Sequence, residues 1–140
     1  MYRMLSLFCL SLGLAACATP EPPESTPGGD VLAVRLSMNE WVVENLMDAG
    51  IPDNAHATLT FTEDGAVSGS TGCNRYNGTW TLSGDQLVFG PIASTRRACF
   101  GALNDMEQKF LSVLQEPATL SLDQTGLLRL QSANGSIEAR

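Results

Sequence analysis

"ATLTFTEDGAVSGST", Ala57–Thr71, sets the pattern of the chain. Leu59 and Phe61 alternate with Thr58, Thr60 and Thr62, a period of two that puts the apolar pair on one face of a strand. Asp64-Gly65 then supplies a turn and a second strand follows around Val67, which together predict a hairpin. "YNGTWTLSGDQLVFG", Tyr76–Gly90, repeats the scheme. Asn77-Gly78 reads as a turn, Trp80 and Leu82 share a face, Gly84-Asp85 turns again, and Leu87 and Phe89 point inward. Working outward, "WVV", Trp41–Val43, sits in a first strand. Near the C-terminus Leu120 and Leu122 alternate, Thr125-Gly126 turns, Leu128 and Leu130 alternate, and Asn134-Gly135 precedes a short strand at Ile137.

One segment departs from this period. In "ALNDMEQKFLSVLQEP", Ala102–Pro117, the residues Leu103, Met106, Phe110, Val113 and Leu114 recur at helical spacing, and Asn104, Asp105, Gln108, Lys109 and Ser112 fall opposite. A helix over about 102–116 follows, stopped by Pro117. Asn104 and Glu107 have the spacing of a capping box. One amphipathic helix suffices to cover the apolar face of a sheet. The predicted fold is therefore α+β: a strongly curved antiparallel sheet or partial barrel of about seven to eight strands, with the helix against its inner face or open end.

The N-terminus is of another kind. "MYRMLSLFCLSLGLAACATP" has Arg3, an apolar run Met4–Leu14 and then small residues, the layout of a secretory signal peptide. The run is shorter than the ~20 apolar residues of a membrane-spanning helix. "LAAC", Leu14–Cys17, resembles the lipobox of bacterial lipoproteins, which implies lipidation of Cys17, cleavage before it and a membrane anchor built from acyl chains. Ala18 rather than Asp after the cysteine favours, by the same resemblance, the outer membrane and its periplasmic face. "ATPEPPESTPGGD", Ala18–Asp30, lacks large apolar residues and reads as a flexible tether. The expected organisation is a signal segment over 1–16, a lipidated N-terminus and tether over 17–30, and one small domain over 31–140.

A net charge of -7 argues against nucleic acid as a partner. The single lysine, Lys109, excludes the phosphate-loop signature, no dinucleotide fingerprint is present, and no cofactor is expected. Of the four cysteines, Cys9 lies in the signal segment and Cys17 takes lipid. Cys73 and Cys99 remain, an even pair in an exported domain, most simply a disulfide. It would close a loop of about 26 residues, worth ~3.5 kcal/mol in the chain-entropy model. Zinc would want three or four ligands at motif spacing, and no metal site is assigned. A catalytic cysteine would want a histidine base, and His56 is the only histidine.

"W" at 41, "LTFTEDGAVSGSTGCNRYNGTW", "LVFGPIASTRRAC" and then Met106-Glu107, Phe110-Leu111 and Leu114 occur in the order seen in the META domain family, which the chain resembles from about Leu36 to its end. Arg97 stands where that family often carries an apolar residue such as methionine. The resemblance implies a compact β-rich fold with a helix and, in bacteria, envelope lipoproteins associated with heat stress. It carries over no catalytic residues.

The expected function is a non-enzymatic envelope lipoprotein, a binding or assembly module in outer-membrane homeostasis or stress tolerance. Its partners would be the membrane, through Cys17, and an envelope protein or anionic lipid. Arg75 follows Cys73, and Arg96 and Arg97 precede Cys99, so a bridge would gather three arginines into a possible anion-binding patch. A carrier of a small apolar ligand or lipid inside the curved sheet is a first alternative. A hydrolase using His56 with Ser68 or Ser70, or the pair Glu63-Asp64, is a second, although no Gly-x-Ser-x-Gly elbow is present.

Overall fold

A computed structural model describes residues 27–140. The signal segment, Cys17 and the tether up to residue 26 lie outside the described residues. The elements in chain order are α1 (Pro27–Ser37), β1 (Glu40–Leu46), β2 (Ala49–Gly50), β3 (Thr58–Phe61), β4 (Ala66–Ser70), β5 (Arg75–Ser83), β6 (Gln86–Phe89), β7 (Ala93–Ser94), α2 (Ala102–Val113), β8 (Ala118–Leu122), β9 (Leu128–Ser132) and β10 (Gly135–Ala139).

Eight strands form an antiparallel path β10-β9-β8-β6-β5-β4-β3-β1, and β1 pairs back onto β10, so the sheet closes into a barrel. The closing seam pairs Leu46 with Ile137 and Val43 with Ala139 across a bulge. The two-residue strands β2 and β7 add to β1 and β5 outside the ring. Closure removes the open edges that a curved sheet of this length would expose.

The register explains why alternation was the right guide. Along β5 the side chains of Tyr76 and Trp80 turn inward and are buried, while Arg75, Asn77, Thr79 and Thr81 turn out. Leu59, Phe61, Val67, Leu87, Leu120, Leu128, Leu130 and Ile137 fill the interior. Phe61 meets Trp80 edge-on, with centroids 5.4 Å apart. The barrel is therefore packed with side chains, and the carrier alternative loses the internal space it requires.

A helix stops each mouth of the barrel. α1 lies at the mouth bordered by the β3–β4 and β5–β6 turns: Gly29 approaches Gly84, and the carbonyl of Leu36 accepts the Trp41 indole N–H at 3.0 Å. Leu36 is fully buried there. α2 lies at the opposite mouth. Its Phe110 sits 5.4 Å from Tyr76 between ring centroids, Met106 and Val113 are buried beside it, and Asn134 of the β9–β10 turn donates to the carbonyl of Ser112.

Several expectations need correction. The described residues hold two helices where one was predicted, and α1 begins at Pro27, inside the stretch read as tether to residue 30. Its apolar residues point two ways: Leu32, Ala33 and Leu36 pack inward, while Val31 and Val34, and Met38 just past its end, face solvent. That distribution blurs the amphipathic signal. Asn77-Gly78 is not a turn but lies within β5. Gly78 is there because Ile92 crosses it closely: a Cβ at that position would sit 2.5 Å from Ile92 Cδ1. The capping box is not formed either. Gly101 precedes α2 with φ of 58° and no side-chain cap, and Glu107 turns away to the β4–β5 loop. α2 ends at Val113, with Leu114 through Glu116 in turns before Pro117.

Candidate functional site

The α2 mouth concentrates the polar chemistry. Between β4 and β5 the chain turns through Thr71-Gly72-Cys73-Asn74, and Gly72 has φ of 90°, a conformation that glycine adopts without strain. Thr71 closes the turn: its N–H donates to the carbonyl of Asn74 at 2.8 Å, and its hydroxyl accepts the N–H of Asn74 at 2.9 Å.

Asn74 is buried and uses both ends of its amide. Nδ2 donates to Glu107 Oε2 at 3.0 Å and to the carbonyl of Arg97 at 3.3 Å. Oδ1 accepts the N–H of Arg97 and the hydroxyl of Thr95, each at 2.8 Å. The Thr71 hydroxyl lies 3.1 Å from Glu107 Oε1, as its donor. One buried asparagine thus joins the β4–β5 turn, the strand-like segment ahead of α2, and α2 itself. Among the described residues no buried polar side-chain atom lacks a partner.

Cys73 and Cys99 are joined as a disulfide beside this network, with Cα atoms 6.2 Å apart and a separation of 26 positions in sequence. The Glu107 carboxylate comes within 4.8 Å of both sulfurs, the one grouping of three metal-ligating side chains among the described residues. With the sulfurs bonded to each other, that grouping offers a metal a single carboxylate.

The arginines project from the pinned segment. Arg75, Arg96 and Arg97 are all exposed, and among the described residues none of them forms a salt bridge; the pairs present are Arg129–Glu138 and Arg140–Glu44. Arg97 is held through its backbone N–H and carbonyl, so the network does not dictate its side chain. Thr95 N–H donates to the carbonyl of Arg75 at 2.9 Å, which brings the two backbones side by side. The side chains border different concavities, however. Arg96 and Arg97 line one together with Gln108 and Leu111, and Arg75 lines another with His56, Ser68, Ser70 and Glu40.

That second groove, of about 500 Å³, contains the residues named for a hydrolase. No hydrogen bond links His56 to Ser68 or Ser70 among the described residues, and Ser70 Oγ accepts the N–H of Gly72 at 3.1 Å. Tyr76 at its floor donates to the carbonyl of Thr58 at 2.9 Å, and burial pushes its phenol well above the ordinary range. Asp64 lies at the far end of β4, where it accepts from the Thr62 hydroxyl, and that bond holds its carboxyl below the usual value. The paired carboxylates are thus a turn, remote from His56 and the serines.

Asn74 and Glu107 were the residues that sequence reasoning missed as a pair. Their separation of 33 positions carries no local period. The only signal was a short polar residue directly after Cys73 in a turn that the barrel buries.

Comparison with known proteins agrees with this architecture. The META domain family matches residues 34–139. Heat shock protein HslJ of Escherichia coli (strain K12) is 27% identical over 124 residues, covering 87% of this chain and 84% of that protein. A structure solved by NMR superposes with a TM-score of 0.67 at 26% identity, covering 77% of this chain and 92% of the other. A second NMR structure, of a protein from Burkholderia xenovorans, gives a TM-score of 0.62 at 25% identity over 86% of this chain and 96% of the other.

Proposed function

Because the chain belongs to the META domain family, we propose that it is a non-enzymatic envelope lipoprotein, anchored through Cys17 to the periplasmic face of the outer membrane. There it serves as a binding or assembly module in membrane homeostasis and stress tolerance. The similarity to a protein named for heat shock supports the stress context. One observation supports the binding role: the Thr95–Cys99 segment is fixed by Asn74 and by a disulfide, yet its arginines face solvent with no carboxylate partner among the described residues. Fixed backbone with free charge is the arrangement that recognises an anionic group at low entropic cost.

The chain enters the barrel through α1, and the disulfide lies at the opposite mouth, at the other end of β5.

The test is crosslinking in intact envelopes, followed by capture of the lipoprotein. Wild-type protein should recover a defined partner, the Arg75→Ala/Arg96→Ala/Arg97→Ala variant should lose it without a large drop in thermal stability, and a deletion strain should be sensitive to envelope stress. Cys17→Ser should abolish palmitate labelling and leave unprocessed precursor. Equal capture by wild type and variant, with a deletion strain normal under stress, would contradict the proposal.

A further inference from the structure

Two concavities along α2 meet end to end. One, of about 340 Å³, is lined by Phe89, Pro91, Ile92, Leu111 and Leu114. The other, of about 390 Å³, is bordered by Arg96, Arg97, Thr95 and Gln108. They share Ser94 and Leu111, so they form one groove between the 89–98 segment and the helix. At one end Phe89, Pro91, Ile92, Leu111 and Leu114 stand beside the polar Ser94 and Gln115, and at the other end are Arg96 and Arg97. Leu114 is buried at the base.

We infer that this groove binds a single-chain anionic phospholipid, a lysophospholipid, with its acyl chain over Phe89, Ile92 and Leu111 and its phosphate at Arg96 and Arg97. This rests on the binding role proposed above and names its ligand class. Charge complementarity selects the head group: two exposed guanidinium groups, without salt-bridge partners among the described residues, stand at one end of an otherwise acidic chain. Glu107 also borders this end, but Thr71 and Asn74 occupy both of its oxygens and turn it toward the disulfide loop. The compartment at the Phe89 end, with its five apolar side chains, lies at the low end of the ~300–1,000 Å³ range of small-molecule sites, which suits one acyl chain rather than two. Ser94 borders both concavities, and Gln108 lines the cationic one, so polar residues stand between the two ends where a glycerol group would fall.

The experiment uses the full processed protein in envelope vesicles and a lysophosphatidylglycerol probe with a photoactivatable group near the chain end. The label should map to peptides containing residues 89–92 and 108–115. Arg96→Gln/Arg97→Gln should reduce it about tenfold, the loss of two charge-assisted contacts, and Gln108→Glu, a change at an exposed position, should reduce it as well. Label that maps instead to the exposed face of α1 at Val31 and Val34, or that is indifferent to both variants, overturns the inference. So does competition by inorganic phosphate at the same concentration as unlabelled lysophosphatidylglycerol, since equal potency would mean that the acyl chain adds nothing. Partner capture from the same vesicles separates the two levels: a captured partner with an unlabelled groove removes the lipid ligand and leaves the binding role intact. A labelled groove with no partner and no stress phenotype removes the assembly role and leaves the ligand.

Discussion

The two mouths of the barrel are closed by different means. At the α1 mouth, Leu36 is inserted, its carbonyl accepts the Trp41 indole, and no covalent link holds the helix. The outer face of α1 leaves Val31 and Val34 exposed, and Met38 just past its end is 71% exposed. At the α2 mouth, Phe110, Met106 and Val113 provide the same apolar closure. A buried asparagine, a glutamate, two threonines and a disulfide are then added to it. Burying a core needs only the first kind of closure, as α1 demonstrates. The additional bonds at the α2 mouth act on the Thr95–Cys99 segment and hold exposed arginines in fixed places. The proposed binding role rests on that difference.

If packing is the shared means of closure, truncation at either mouth should be costly, and these are the largest effects expected. Phe110→Ala should destabilise by about 3–5 kcal/mol and Leu36→Ala by about 2–5 kcal/mol in chemical denaturation. A Leu36→Ala cost near zero would make α1 an appendage and break the symmetry of the comparison. Removing the bridge with Cys73→Ser/Cys99→Ser should cost about 2–4 kcal/mol. Hydrogen exchange should rise around residues 71–74 and 95–101 while α1 stays unchanged; an equal rise at both mouths would show that the bridge stabilises the barrel as a whole. The polar network should be worth less. Asn74→Ala removes the donor to Glu107 Oε2 and the acceptor of the Arg97 N–H and should cost about 1–3 kcal/mol. A double-mutant cycle with Glu107→Gln should show coupling, and additive losses would separate the two residues.

The smallest effect belongs to the barrel wall between the mouths. The side-chain hydrogen bond from Arg129 and then that from Asn45 hold the Glu138 carboxyl below its ordinary value of 4.5. A carboxyl depressed in the folded state contributes stability above its unfolded pKa and loses it as pH falls through the folded value. Glu138→Gln should therefore differ from wild type near neutrality and converge with it in acid below the ordinary glutamate range. The group is exposed, so the difference should be slight in thermal melts across that window. A large difference persisting at the acid end would place the effect in packing rather than charge.

The strands were legible in the sequence because a closed sheet with one buried face enforces alternation, as Leu59 with Phe61 and Leu128 with Leu130 display. α2 was legible from its apolar stripe. α1 was not, because Val31 and Val34 add apolar residues to its solvent face and glycines stand at its start. Gly78 was misread because a glycine after asparagine has the composition of a turn, whereas here it makes room for Ile92. Of the candidate site, the two cysteines and three arginines could be named from spacing. The division of the arginines between two grooves could not, since it depends on how β5 and the segment after β7 lie across each other. The link between Asn74 and Glu107 exists only once the helix is laid over the mouth.

The functional difference between the mouths can be measured directly with one photo-crosslinking residue introduced at Gln108 and, in a separate strain, at Val34, each in otherwise intact cells. The α2 mouth as the binding end predicts a discrete adduct from Gln108 that disappears with Arg96→Gln/Arg97→Gln, and no adduct from Val34 that depends on those arginines. Discrete adducts from Val34 with none from Gln108, or a Gln108 adduct unaffected by loss of the arginines, would contradict it.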